Sequence, residues 1–432
     1  MNLPNEVVQL ITSLDVNQTA IRARDNRYEG NQPLRFAADE VRGDLKLFGV
    51  NICRLAVDAV AERMRVKRLD VTVRGKDVSD VASKLWRDSH LDQLLQPLLV
   101  DALALGAAYL IVWADEAGNP VATPESAKNV AVSRHPVTGE VTGAVKRWKS
   151  LEPNGLVASE HVAHYTKTAV TLYESVRGGE WSTVGDPLAN PLGVVPVVPL
   201  LNLNRIGDRK GWSVIDDLGD LVDALSKVIA DMLVASEDVA RPRRWATGVD
   251  LEEGDDYEDE EGFTADGPDT APTGGTARAE TVSPFESGNR MFTVENESAK
   301  FGQLPGADLK GYETAVNLLL QQIMSVSALP AHMMGVTSSN PASADAIRSA
   351  EASLTARAEA RITVLSYYIE MGINLMVAIR LGVKPSEVST IIHWANAGTK
   401  STAQEADAVT KLHALGIITT AEAREMMGID KL

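Results

Sequence analysis

From Ser343 to Leu381 the chain runs without a proline and with one glycine, Gly372, through Ile347, Leu354, Ile362, Leu365, Ile369, Ile373, Met376 and Ile379. Apolar residues at these spacings predict one continuous amphipathic helix. At 1.5 Å per residue it is roughly 58 Å long, about twice the width of a small domain. A polar segment marked by glycine and proline feeds it, reading LPAHMMGVTSSNPASADAI from Leu329 to Ile347. A loop that delivers the chain into so long a helix, with no catalytic motif on either side, reads as a mechanical part.

Two more long helices precede it. Ser213, with Asp216 three residues on, makes a start resembling a capping box. Val214, Ile215, Leu218, Leu221, Val222, Leu225, Val228, Ile229, Met232 and Leu233 then form one stripe, with Asp216, Asp220, Asp223 and Asp231 mostly off it. The run to Asp238 would be roughly 39 Å long. The other helix spans Asp308 to Ser327, with Leu309, Tyr312, Val316, Leu319, Leu320 and Ile323 on one face. Between the two, Arg241 to Gly248 and Met291 to Val294 have strand character. They flank an acidic run and a stretch rich in Gly, Pro, Thr and Ala to about Ala279, which buries too little surface to fold and predicts disorder or a long exposed loop.

The first part of the chain mixes helices and strands. A helix is expected near Leu47 to Val66, ending in the basic cluster Arg63, Arg65, Lys67 and Arg68, which reads as a solvated helix end. Val71 and Val73 alternate as in a strand, Val81 to Leu105 returns to helix, and Ala107 to Trp113 is strand-like. From Val130 to Val184 alternation recurs between turn signals at Thr138-Gly139, Pro153-Asn154-Gly155 and Gly178-Gly179, predicting an antiparallel sheet and an α+β domain ending near Asn204. After Pro385 two short helices are expected, Thr402 to Leu415 and Thr420 to Met427, each with a threonine as N-cap and a glycine at its end. The fold class is therefore α+β and helix-rich.

Charge and chemistry exclude much. The net charge is −17, but Asp250 to Glu261 holds nine carboxylates and no cation, and removing those nine charges leaves −8. A tight duplex binder gains affinity by releasing phosphate counterions with Lys and Arg, so this balance argues against one. It is compatible with a surface that lets DNA pass. The single cysteine, Cys53, rules out an internal disulfide and a multi-thiolate zinc site, and its apolar neighbours mark it as a core residue. No signal-peptide pattern and no apolar run near the ~18 residues of a membrane span are visible, so no membrane is expected and the chain reads as cytoplasmic. There is no P-loop, G-x-G-x-x-G, H-E-x-x-H or G-x-S-x-G motif. His161 and His164 sit three apart in a strand-like segment, where they point to opposite faces and cannot share a metal. No cofactor, metal site or catalytic residue is expected, and the chain does not read as an enzyme.

Several spaced signatures agree on one family. Arg27-Tyr28-Glu29-Gly30 with Pro33-Leu34, Gly106-Ala107-Ala108-Tyr109, and Val195-Pro196-Val197-Val198 with Asn202 occur in order. They are followed by Gly211-Trp212-Ser213, Arg241-Pro242-Arg243-Arg244-Trp245-Ala246-Thr247-Gly248 and Asn340-Pro341-Ala342-Ser343-Ala344-Asp345-Ala346. In this order and spacing the chain resembles the portal proteins of tailed bacteriophages, of the SPP1-like class and especially of phages infecting actinobacteria.

The resemblance implies a wing over residues 1–212, joined by a long returning helix at 343–384. It implies stem helices at 213–238 and 308–328, a clip at 239–307, a tunnel loop at 329–342 and a short helical crown at 385–432. It further implies a homo-oligomeric ring, usually of twelve subunits, at one capsid vertex, through which double-stranded DNA is packaged and ejected. The implied partners are the major capsid protein, a scaffolding protein, the large subunit of the terminase motor and the head–tail adaptor. Ser338, Ser339, Asn340 and Arg348 are the candidates to face DNA, and Arg241, Arg243, Arg244 and Trp245 the candidates for docking through the clip. The acidic stretch 250–279 departs from a plain clip; it is either a solvated insertion or an electrostatic lure for a basic partner surface. A head–tail adaptor or scaffolding role in another assembly is the alternative, although it leaves the loop signature and the strand-flanked clip unexplained.

Overall fold

The computed structural model describes residues 3–32, 49–115, 117–208, 210–240, 244–247, 300–303, 309–336, 343–398 and 402–427. The chain divides into two compact units, one of Met1–Ala230 with Glu313–Leu432 and the other of Asp231–Tyr312.

The first unit opens with α1 (Asn5–Glu29), which the sequence reading did not anticipate. Only Val7, Leu10, Leu14 and Ile21 of its twenty-five residues are buried, so its apolar stripe is too thin to read by periodicity. Next come α2 (Ile52–Ala61), β1 (Val66–Val73) and β2 (Lys76–Asp77), then α3 (Ser79–Asp88) and α4 (Leu91–Leu105). The helix expected over Val81 to Leu105 is thus two helices, broken where His90 takes a left-handed backbone at φ 54°. Strands β3 (Ala107–Ala114), β4 (Pro120–Ser126), β5 (Val130–Arg134), β6 (Val141–Leu151), β7 (Val157–Tyr165), β8 (Ala169–Val176), β9 (Trp181–Thr183), β10 (Leu188–Ala189) and β11 (Val197–Leu201) follow. The expected antiparallel sheet is present, in the order β10-β8-β7-β6-β5 with β9 on β8, while β11-β3-β4 forms a second sheet.

The helix expected from Ser213 begins later, as α5 (Gly219–Ala240). The preceding residues are pinned to the end of α4 instead. The Ser213 hydroxyl donates to the Ala104 carbonyl, and the Val214 N–H donates to the Leu103 carbonyl at 3.0 Å. These tertiary bonds displace the regular helical pattern for one turn. After α6 (Leu309–Ser327) and a 3-10 turn at Ala331–Met334, α7 (Ala344–Leu381) confirms the long helix.

The segment after Pro385 is not purely helical. It begins with β14 (Val388–Trp394), whose Val388, Thr390 and Ile392 are buried while Ser389 and Ile391 face out, and which pairs antiparallel with β1. Helices α8 (Thr402–Ala414) and α9 (Thr420–Met426) then appear as expected. A crown starting at Pro385 is therefore corrected, because 388–394 completes the sheet of the first unit.

The core gathers Cys53 and Val57 of α2, Leu99 and Leu103 of α4, Leu110 of β3, Leu200 of β11 and Leu365, Ile369 and Ile373 of α7. Cys53 is fully buried and burial pushes its thiol up to about 12, as fits a core residue. A smaller cluster packs Val7, Leu10 and Leu14 of α1 on Ala131, Val145, Val162 and Tyr173 of the large sheet. Gly372 is a site of contact rather than a weak point: a Cβ there would lie 2.5 Å from Leu110 Cδ2, so its absence lets α7 approach β3. One correction concerns membranes. The helix Ala346–Leu381 contains a window of mean hydropathy 1.6, long and apolar enough to cross a bilayer, and half of that window is buried in the fold. Ser366, Glu370 and Asn374 interrupt the apolar run of this helix.

In the second unit β12 (Arg244–Thr247) pairs antiparallel with β13 (Lys300–Gln303), Arg244 opposite Gln303 and Trp245 opposite Gly302. The strand expected at Arg241 to Gly248 is present over its described part. The strand expected at Met291 to Val294 and the acidic stretch 250–279 lie outside the described residues.

Candidate functional site

The motif residues scattered along the sequence converge in space. Gly106 and Gly211, both with positive φ, touch backbone to backbone: a Cβ on Gly211 would sit 1.9 Å from the Gly106 carbonyl oxygen. Asn202, fully buried, donates its backbone N–H to Gly106 at 3.0 Å and its side-chain amide to the Trp212 carbonyl at 2.7 Å. Trp212 returns its N–H to the Asn202 carbonyl at 2.8 Å. Arg361 of α7 closes the node, donating to Asn202 Oδ1 at 2.9 Å and the Leu203 carbonyl at 3.0 Å, with its guanidinium 5.3 Å over the Trp212 ring. The start of the α5 segment, the end of β11 and the middle of α7 are thereby held as one body.

Helix α1 locks the same region from the other side. Arg24 forks onto Asp216, with Nε to Oδ1 at 2.8 Å and Nη2 to Oδ2 at 2.6 Å. Arg27 bonds Asp223 at 2.7 Å and Asp220 at 3.1 Å. Gly219 stands where a Cβ would meet the Arg27 guanidinium at 2.1 Å. The aspartates that lay off the apolar stripe of α5 are thus counter-charges for arginines nearly two hundred residues earlier. Burial opposes the Arg27 charge, and its bonds to Asp223 and Asp220 hold its pKa above the usual arginine value.

At the base of the loop, Ser343 caps α7, its hydroxyl accepting the Ala346 N–H at 3.2 Å. Glu351, one turn beyond Arg348, is buried and receives His332 of the 3-10 turn at 3.3 Å and Arg63 at 3.4 Å. Arg63, expected as part of a solvated helix end, is instead a partly buried ion-pair partner. Arg65 lies past the end of α2, and Lys67 and Arg68 lie within β1.

Of the candidates to face DNA, Arg348 is on the second turn of α7, partly buried. Ser338, Ser339 and Asn340 lie outside the described residues. Of the docking candidates, Arg244 and Trp245 are on β12, and Arg241 and Arg243 lie outside the described residues. His161 and His164 both fall on β7, as expected. His161 stacks on Trp148 with centroids 5.1 Å apart, while His164 is buried and its pKa is lowered by that burial. Among the described residues no three His, Cys, Asp or Glu side chains are grouped to hold a metal.

The profile of the family described as "Phage portal protein, SPP1 Gp6-like" matches residues 9–431. The chain belongs to that family. Its portal relatives include the portal protein of Mycobacterium phage D29, 26% identical over 443 residues, covering 97% of this chain and 84% of that protein. The portal protein of Mycobacterium phage L5 is 27% identical over 399 residues, covering 87% of this chain and 75% of the relative. Among solved structures, a chain of the virion of a native gene transfer agent particle is similar at TM-score 0.45 and 16% identity, with 95% of this chain and all of that chain covered. A chain from the neck of the native particle, computed with C12 symmetry, scores 0.44 at 15% identity, covering 94% and 98%. The α+β, helix-rich class and the portal family stated from the sequence both hold.

The residues that carried the resemblance have physical roles here. Gly106, Asn202, Gly211, Trp212 and Ser213 make the backbone node, and Arg27 makes the lock on α5. Sequence reasoning noticed these residues as signatures without their partners. Arg24, Arg361, His332 and Glu351 went unnoticed, and no local pattern marks them.

Proposed function

We propose that this portal-family chain works as one subunit of a closed homo-oligomeric ring at a capsid vertex, through which double-stranded DNA is packaged and later ejected. The observation that carries this reading is the family match over nearly the whole chain. In support, α5 and α6 are two long helices whose far ends run into the compact unit Asp231–Tyr312. In this reading the first unit supplies the wing, with α7 returning to it. Helices α5 and α6 form the stem, the second unit with the β12–β13 hairpin is the clip, residues 329–342 are the tunnel loop, and α8 and α9 form a short crown.

A ring follows when head-to-tail contacts rotate each copy by a fraction of a full turn. Twelve copies is the number the family resemblance suggests. The clip docks the terminase motor and later the head–tail adaptor, and the wing meets the major capsid and scaffolding proteins. Assembly takes place in the host cytoplasm and the finished ring resides in the virion. The net charge of −17 suits a channel that repels phosphates and lets the duplex slide. Arg348 and the loop residues Ser338, Ser339 and Asn340 provide the few transient contacts, and Arg244 and Trp245 of β12, with Arg241 and Arg243 just before them in the sequence, are the docking residues. Packaging energy comes from a separate ATPase, and the ring hydrolyses nothing.

Native mass spectrometry of the purified protein, with negative-stain images of the same sample, tests this reading. Rings of about twelve subunits with a central hole are expected. A monodisperse monomer or dimer that persists at high concentration and with capsid protein added would sink it.

A further inference from the structure

A cleft of about 410 Å³ opens between α1, β3, the end of β5 and the Lys210–Gly211 segment. Its basic lining is Arg24, Arg134 and Lys210 with His135 beside them, and among the described residues no carboxylate lines it. In a chain of net charge −17 such a lining is a local inversion of sign. Carboxylates on the surrounding elements are paired, one of them with Arg24 of the lining itself. Asp15 pairs with Arg147 at 2.5 Å, Asp25 with Lys128 at 2.6 Å, Asp216 with Arg24 at 2.6 Å and Glu140 with Lys167 at 2.7 Å.

Arg134 and Lys210 are left without an acidic partner among the described residues. Lys210 donates only to Asn17 Oδ1, at 3.0 Å. Arg134 has a buried Nε with no hydrogen-bond partner. A register shift between Ser133 and Arg134 breaks the β5–β6 ladder at this residue, and bulges of this kind re-aim side chains. Tyr109, also on the lining, is 8% exposed. Burial pushes its hydroxyl up to about 12, so it stays a donor at neutral pH. His135 Nδ1 accepts the Thr138 N–H at 3.2 Å, which leaves Nε2 as the ring nitrogen available to donate.

We propose that this cleft binds a small oxyanion, a phosphate or a carboxylate, held chiefly by Arg134 with Lys210, His135 and Tyr109 as further donors. A guanidinium fork matches two oxygens of either group, and a partly buried guanidinium without a partner is costly until an anion satisfies it. The volume lies in the usual range for small-ligand sites. Leu14, Ile21 and Val130 make part of the lining apolar.

Isothermal titration of the full-length protein with inorganic phosphate, and separately with succinate, tests the site. In at least one arm a single saturable site per chain is expected, and the responding arm tells phosphate from carboxylate. Arg134→Gln is expected to weaken binding at least about tenfold and Lys210→Gln about threefold, the latter on an exposed side chain whose loss leaves the fold intact by circular dichroism. Equal binding by the parent protein and both variants would overturn the proposal. So would no heat in either arm up to about 10 mM anion, a concentration well above any specific site of this kind. Neither outcome bears on ring assembly, which the titration does not read.

Discussion

Glu370 on α7 and Ile392 on β14 are joined side chain to backbone, Glu370 Oε1 accepting the Ile392 N–H at 3.2 Å. This bond is the middle rung of three. Ser366 Oγ accepts the Trp394 indole N–H at 2.7 Å, and Asn374 Oδ1 accepts the Thr390 hydroxyl at 2.7 Å. Four residues of helix rise about 6 Å and two residues of strand about 6.7 Å, so the two periods stay in step over this distance. The three bonds tie β14 to α7 along its buried face, and the Ile392 N–H is the one backbone group among them.

Glu370→Leu should therefore destabilise the protein by about 1–3 kcal/mol, because the Ile392 N–H loses its acceptor. Glu370→Gln keeps an oxygen in place and should cost less than half as much. Ile391→Thr, on a residue 58% exposed, should stay within about 0.5 kcal/mol. Denaturant unfolding of the three variants checks the order.

Gly211→Ala should be severe. The new Cβ would overlap the Gly106 carbonyl oxygen at 1.9 Å in a backbone with φ +82°. A loss above about 3 kcal/mol, seen as insoluble protein or a strongly lowered melting temperature, is expected. Gly207→Ala, a few residues away with nothing within 4 Å of its Cβ, should be nearly neutral.

Removing Arg27 takes from Asp223, which is 6% exposed, its ion pair at 2.7 Å. Arg27→Ala should cost about 3–5 kcal/mol, the range for breaking a buried pair from one side. In a double-mutant cycle with Asp223→Asn the coupling should exceed about 1 kcal/mol. A cycle that sums to zero would mean that the Arg27–Asp223 pair contributes nothing to holding α1.

His164 sets an acid limit. Burial lowers its pKa below the ordinary value of about 6.5, so the unfolded chain binds its proton before the folded one does. Its contribution is fully present above about pH 6.5 and is lost as pH falls through the lowered folded value. Melting temperature should drop as pH falls below about 6.5, and His164→Gln, which does not titrate, should flatten that part of the profile.

Much of this architecture is written in local pattern. Helix α7 is legible because its apolar residues recur at helical spacing without a proline, and β6 to β8 are legible because alternation and turn residues coincide. Ser343 reads as a cap from its position alone. Helix α1 was not legible, since four buried residues in twenty-five leave almost no period to detect. Strand β14 was passed over because seven residues of alternation between helices become a strand only when β1, more than three hundred residues away, supplies the ladder. Local periodicity thus specifies where helices and strands form and which face is apolar. The pairing of Arg24 and Arg27 with Asp216, Asp220 and Asp223, the contact of Gly106 with Gly211, the ladder from Ser366 to Asn374 and the uncommitted charge of Arg134 arise from the closure of the chain on itself. Each joins groups whose chemistry is ordinary in isolation and becomes specific only through distance and burial.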